Sequence, residues 1–342
     1  MPAITPEFMW DLESNMRTVS AAEYQRLNTN TWWRNIAREM SSGAKKERVN
    51  WLLDSAKIQR NGKGGNVEFD DIVAMTTEVE HLNAAAGLEL KKEQLEDLDG
   101  NGIDLAGHWS RQMGAYGAYW PQKMIAQALR DNPTGYDGVS FFNTSHPVNP
   151  FDAGAGNFAN IFTGAASGIY PGALPIHTAV TVEIAVQNIA KAIAYLASIK
   201  MPNGEDPRML RLAGIGVPPA LVARAQEITN AKFIAQPVAG GGGSGDVEAV
   251  IRNFGLGQPF EMPELGSAFG GSDTSYYLVV EEITSNQLGA FTYSNREPFS
   301  IVFHGPQTDA DLARSRKFQW TTEGRNAVMP GHPYLLFRAD AT

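Results

Sequence analysis

The residues best suited to chemistry are Asp97-Leu-Asp99-Gly-Asn101-Gly-Ile-Asp104, which set oxygen-bearing side chains at alternate positions around glycines, as in the first half of a calcium loop. The match then stops. The twelfth position, which should supply a bidentate Glu, is His108, and the eighth, usually apolar, is Asp104. The stretch reads as a polar turn leading into a helix, with Asp104 near a helix N-terminus that favours an anion. Ser145-His146, with Asp137 nearby, has the residue types of a hydrolase. Adjacent residues of an extended segment point to opposite sides, Pro147 keeps His146 extended, and no Gly-x-Ser-x-Gly surrounds the serine. A structural role is expected. The six histidines (81, 108, 146, 177, 304, 332) form no HExxH or HxH pair, and the run Gly240–Gly245 lacks the Gly-Lys-[Ser/Thr] of a phosphate cradle. Arg314, Arg316 and Lys317 form a small basic cluster, suited to a solvated strand edge or to an ion pair between subunits. The aromatic stripe over residues 105–124 suits core packing, and is large enough for an interface. No catalytic, cofactor or metal residue is expected.

Composition narrows the classes further. The 342 residues exceed the usual length of one domain. With 28 basic against 37 acidic residues the net charge is −9, which argues against a chain-wide basic surface for nucleic acid or anionic membrane. Absence of cysteine excludes disulfides, Cys-ligated zinc and thiol nucleophiles. No apolar run approaches the roughly 18 residues of a membrane span. A soluble, cytoplasmically folded protein is expected.

The elements that would position these residues follow from periodicity. Residues 1–20, with Pro2 and Pro6, read as an extended arm, and Ala21 to about Met40 as a helix through Tyr24, Leu27, Trp32, Ile36 and Met40. Residues 45–63 read as the end of a short helix near Trp51–Leu53, then a loop. Two alternating runs in residues 66–98, around Ala84-Ala-Ala-Gly87, suggest a long charged hairpin that buries little of itself. Leu105, Trp109, Met113, Tyr116, Trp120 and Met124 mark a long helix over about 103–132, which Pro121 should bend or divide. Loops follow to 178, with a short strand at Val139–Phe142; then a helix over 179–198, a strand Met209–Ile215, Val217-Pro-Pro219 and a helix Ala220–Thr229. Strands are expected at Ala249–Phe254, Tyr276–Glu281, Phe299–Phe303, Lys317–Thr321 and Tyr334–Phe337. Helices and strands without βαβ alternation give an α+β class.

Three stretches carry a family resemblance: Tyr136-Asp-Gly-Val-Ser-Phe-Phe142-Asn-Thr-Ser-His146-Pro-Val148, Leu212-Ala-Gly-Ile-Gly-Val217-Pro-Pro219-Ala-Leu221, and Arg314-Ser-Arg-Lys-Phe-Gln-Trp320 with Gly324-Arg325. In this order the chain resembles the Mu-like major head subunits of tailed bacteriophages, which have the Hong Kong 97-like capsid fold. The resemblance implies an N-terminal arm with the first helices (1–65), an extended hairpin loop (66–98), a peripheral domain with a spine helix and following loops (99–178), an apical domain (179–290) and return strands of the peripheral domain (291–342). It implies self-assembly into pentamers and hexamers of an icosahedral shell around double-stranded DNA, held without sequence-specific contact. Portal, scaffold or protease and decoration proteins are the implied partners, with no cofactor and no membrane. The implied location is the virion capsid, assembled in the cytoplasm of a bacterial host. The expected contacts between subunits are Trp10 in the arm, Glu78, Glu80, Lys91 and Lys92 in the hairpin, and Arg314, Arg316 and Lys317. The rivals are an encapsulin-like shell around an enzyme cargo, which shares the fold, a metal-dependent enzyme centred on 97–108, and an adaptor or tail protein.

Overall fold

The computed structural model of the chain describes residues 6–53, 73–96, 105–230, 233–237, 244–248, 257–283, 289–305 and 316–340. The calcium-like stretch 97–104, the strand expected at 249–254, Arg314 and most of the glycine run lie outside them.

Residues 6–20 of the expected extended arm belong instead to helix α1 (Pro6–Asn28). Pro6 occupies the first helical position, where a missing N–H breaks no bond. Met9 and Met16, buried, and Leu12, half-buried, lie three and four apart and join one apolar cluster. The helix expected to reach Met40 stops at Asn28; a 3-10 turn at Trp32–Asn35 and strand β1 (Ala37–Ser41) follow. Trp32, Trp33 and Ile36 are buried as expected of apolar residues, but on a turn rather than a helix face.

Strand β2 (Lys46–Leu53) stands where a short helix was expected, and pairs antiparallel with β3 (Val73–Glu80), Lys46 opposite Glu80 and Leu53 opposite Val73. After the single residue His81 comes β4 (Leu82–Lys91), which pairs elsewhere. The hairpin is therefore not the one expected at 66–98: its strands are β2 and β3, and Ala84–Gly87 lie inside β4 instead of at a turn. Two alternating runs around small residues look the same in sequence whether they pair with each other or with distant strands.

Helix α2 (Lys92–Glu96) is short; α3 (Leu105–Asp131) is the expected long helix, continuous through Pro121. A proline inside a helix costs about 3 kcal/mol. Packing on both flanks of α3 offsets it. Gly114 lets α1 approach so closely that a Cβ there would lie 2.3 Å from the Ser20 carbonyl oxygen. On the other flank Trp120 Nε1 donates to Asn326 Oδ1 at 2.8 Å.

The loop region holds only β5 (His146–Pro147), β6 (Asn157–Phe158) and β7 (Ile161–Phe162); the strand expected at Val139–Phe142 reduces to a single bridge between Thr134 and Ser140. Then come α4 (Val182–Leu196), capped by the Thr181 hydroxyl, β8 (Leu210–Val217) and α5 (Val222–Asn230), each close to its expected place. β9 (Phe233–Pro237) and β10 (Ser244–Glu248) pair with each other. The chain closes with β11 (Phe260–Glu261), β12 (Tyr276–Glu282), β13 (Phe291–His304), β14 (Lys317–Pro330) and β15 (Leu336–Ala339).

Two sheets organise these strands. The first has the order β1-β13-β14-β4, with β1 parallel to β13 and the rest antiparallel. Its Ile301, Phe318, Trp320 and Leu90 pack on Met9, Met16 and Ala106 of α1 and α3. The second has the order β11-β8-β12-β15-β7. Its central strand reads Tyr276-Tyr-Leu-Val-Val280, buried throughout, as a strand covered on both faces must be. β7 and β15 thus join β8, β11 and β12 in one sheet: the chain leaves the second sheet after β12 and returns to it at β15.

Candidate assembly surfaces

The β2–β3 ribbon is a two-stranded sheet of its own. Its register puts Lys46, Arg48 and Asn50 on one face with Glu80, Glu78 and Thr76, and Glu47 and Val49 on the other with Val79, Thr77 and Met75. The first face is exposed and bonded across the strands. Lys46 Nζ and Arg48 Nη2 each lie 2.9 Å from Glu78, and Lys45 Nζ lies 3.0 Å from Glu80. The hydrogen bond from Lys46, then that from Arg48, holds the Glu78 carboxyl below the usual range, and the bond from Lys45 does the same for Glu80. The second face carries Val49, Met75 and Val79, all half-buried. A small detached ribbon with an apolar face is marginal in water by itself. His81 fixes its base: its backbone N–H donates to the Lys45 carbonyl at 3.2 Å, and its Nε2 lies 2.8 Å from Ser294 Oγ.

The other expected contact residues scatter. Trp10 projects from α1 with 76% of its surface exposed. Lys91 and Lys92 are not on the ribbon; they end β4 and begin α2. Arg316, in the left-handed region at φ 45°, pairs with Glu93 at 3.4 Å, and Lys317 with Glu89 at 2.7 Å. Hydrogen bonds from Lys317 and then Gln319 keep the Glu89 carboxyl below its usual range. Arg316 and Lys317, the described part of the basic cluster, thus make their ion pairs within the chain at the start of β14.

A surface that the sequence did not suggest is a groove of about 880 Å³ between α3, β4 and the turns at 263–269. Ala84–Ala86 form its floor, and Tyr116, Trp120, Phe269 and Phe299 its aromatic walls. Tyr116 is 58% and Phe269 64% exposed. The alanine run was the sequence signal: small residues on a strand beside an aromatic helix leave a trough.

The residues that suggested hydrolysis are structural, as expected. His146 is fully buried, with Nδ1 2.5 Å from Asp137 Oδ2 and Nε2 3.0 Å from the Phe141 carbonyl oxygen. Ser145 Oγ accepts from Asn157 instead. Among the described residues no group of three His, Asp or Glu could hold a metal ion, and no helix is long and apolar enough to cross a membrane.

The fold as a whole is similar to that of known proteins. The model of the family described as Mu-like prophage major head subunit gpT matches residues 12–171. That segment, just under half of the chain, is similar to the Mu-like major head subunit family. The chain is thus similar to major head subunits of tailed phages. Among solved structures, the procapsid of bacteriophage JBD30 is similar at 15% identity, covering 99% of this chain and 77% of that one, with a TM-score of 0.51. The mature capsid of bacteriophage PhiM1 gives 11% identity, coverage of 92% and 87%, and 0.52. The capsid of cyanophage P-SCSP1u gives 12%, 91% and 88%, and 0.53. At these identities the likeness establishes a phage-capsid fold. No curated protein matches the chain. The matched family is one of structural head subunits, which does not favour the encapsulin-like shell.

Proposed function

We propose that this head subunit self-assembles into pentamers and hexamers of an icosahedral shell that encloses double-stranded DNA in the virion. Portal, scaffold or protease and decoration proteins are its partners, and assembly takes place in the host cytoplasm. The work of the molecule is association, not catalysis. The observation that carries this reading is the β2–β3 ribbon, which pairs with no other strand among the described residues and keeps an apolar face half exposed. Such a face gains burial on another molecule, and at roughly 25 cal/mol per Å² even a few side chains, repeated around a closed shell, accumulate stability. The acidic net charge suits a container that holds DNA without gripping it.

The contact residues shift accordingly. Glu78 and Glu80 already have partners in their own chain, so the ribbon contact falls to Val49, Met75 and Val79. Trp10 remains the contact of the N-terminal element, now on a helix. The test is to replace residues 46–80 by a short Gly-Ser linker, which the adjacency of Lys45 and His81 permits. A folded subunit that forms no shells by electron microscopy is expected; normal shells would refute the ribbon's role.

A further inference from the structure

Both legs of the β2–β3 ribbon are tied to consecutive residues of β13. On the leg that enters β2, the Ser42 backbone N–H donates to the Asn295 carbonyl at 3.1 Å. On the leg that leaves β3, His81 Nε2 lies 2.8 Å from Ser294 Oγ. The Lys45 carbonyl oxygen lies 3.2 Å from the His81 backbone nitrogen and 3.1 Å from its Nδ1. A carbonyl only accepts, which assigns the ring proton to Nδ1 and leaves Nε2 to accept from the Ser294 hydroxyl. Ser294 is fully buried and His81 is 7% exposed, so the bond is shielded from water.

The first sheet is shaped for this reach. β4 starts at Leu82, opposite Asn326 of β14, and the next residue of β14, Ala327, stands opposite Ser294. Directly opposed residues share a face, so the imidazole crosses β14 over a one-carbon side chain to meet β13 beyond it. Next to Ser294, β13 shifts its register between Asn295 and Glu297, the kind of irregularity that bends a strand and re-aims what it carries. Eight residues of β3 at about 3.3 Å each put the far end of that strand roughly 26 Å from this base. A swing of about 10° at the base displaces that end by about 4–5 Å, the whole reach of an apolar contact. The direction of the ribbon thus decides whether the residues on it meet a neighbour. We propose that His81 and Ser294 are positioning residues for assembly: their bridge fixes the angle at which the ribbon leaves the first sheet, and through that angle the curvature of the shell. This rests on the reading that the ribbon makes a contact between subunits, and adds what aims it.

The chain has no cysteine, so introduced labels report without background. Asn50 on the ribbon and Gln25 on α1 are exposed. Spin labels at Asn50→Cys and Gln25→Cys are expected to give one narrow distance distribution in the free subunit. Ser294→Ala should broaden it while circular dichroism stays that of the folded chain, and particles should change from one diameter to several by electron microscopy. Ser294→Thr keeps the hydroxyl and should restore both. If Ser294→Ala fails to fold, His81→Asn keeps a donor for the Lys45 carbonyl, loses the reach to Ser294, and carries the same expectation. An unchanged distance distribution would overturn the proposal, and so would a broadened one with particles of uniform wild-type diameter. Shells that form without residues 46–80 sink the ribbon reading and with it the bridge's role in assembly, whereas uniform shells that need the ribbon but not the bridge sink the bridge alone.

Discussion

Trp32 Nε1 donates to Glu264 Oε2 at 2.9 Å, joining the turn that enters β1 to the turn that leaves β11. Gln122 of α3 donates to the other oxygen of the same carboxylate at 2.5 Å and accepts from the Trp32 backbone N–H at 3.1 Å, while Arg130 donates to the Glu264 carbonyl at 2.6 Å. One carboxylate therefore ties the spine helix to loops of both sheets. Glu264→Ala strands the Trp32 and Gln122 donors. It should destabilise the subunit by about 2–3 kcal/mol, read by denaturant unfolding.

The two faces of the ribbon should respond oppositely. Exposed ion pairs contribute about 0–1 kcal/mol. Glu78→Gln is therefore expected to leave both subunit melting and shell yield nearly unchanged at neutral pH. Val79→Asp places a charge on the apolar face and should abolish shells while the isolated subunit melts as before. Sedimentation of assembled against free protein checks both.

His332 gives a pH dependence. It is 5% exposed, and burial together with the neighbouring Arg208 lowers its pKa to about 3; Tyr136 meets its ring edge-on, Tyr334 lies tilted against it, and Glu282 faces Arg208. The folded state holds it neutral, so its contribution is complete above the unfolded value of about 6.5 and is lost as pH falls from there toward 3. Within that window stability should fall by roughly 1 kcal/mol per pH unit from this group. The slope should flatten in His332→Gln, measured by unfolding at pH 7 and pH 5.

The buried Asp137–His146 pair should matter for stability alone. Asp137→Ala leaves the His146 Nδ1 without its partner and should cost about 1–3 kcal/mol, whereas Ser145→Ala should change stability by under about 0.5 kcal/mol. Unfolding curves of the two variants separate a packed histidine from a hydrolytic site.

Sequence periodicity located α3, α4 and the β8–Val217-Pro-Pro219–α5 unit because each buries one regular face within a short stretch. It missed α1, where Met9, Leu12 and Met16 are sparse among polar residues and only the partner helix makes the stripe meaningful. It misassigned the hairpin because β4 finds its partner β14 more than two hundred residues away, a pairing that no local pattern encodes. The same limit applies to the ribbon: its charges were legible, but their partners across β2 were not.

The single residue between β3 and β4 has a mechanical consequence. Tension applied to the ribbon passes through His81 along the axis of β4, and the ladder from Asn326–Leu82 to Lys317–Lys91 carries it in shear, all rungs loaded together. A strand peeled from its end would instead lose its rungs in succession. Outward pressure on a filled container would therefore meet the stiffer of the two geometries, with the load delivered to the edge of the sheet beneath the spine helix.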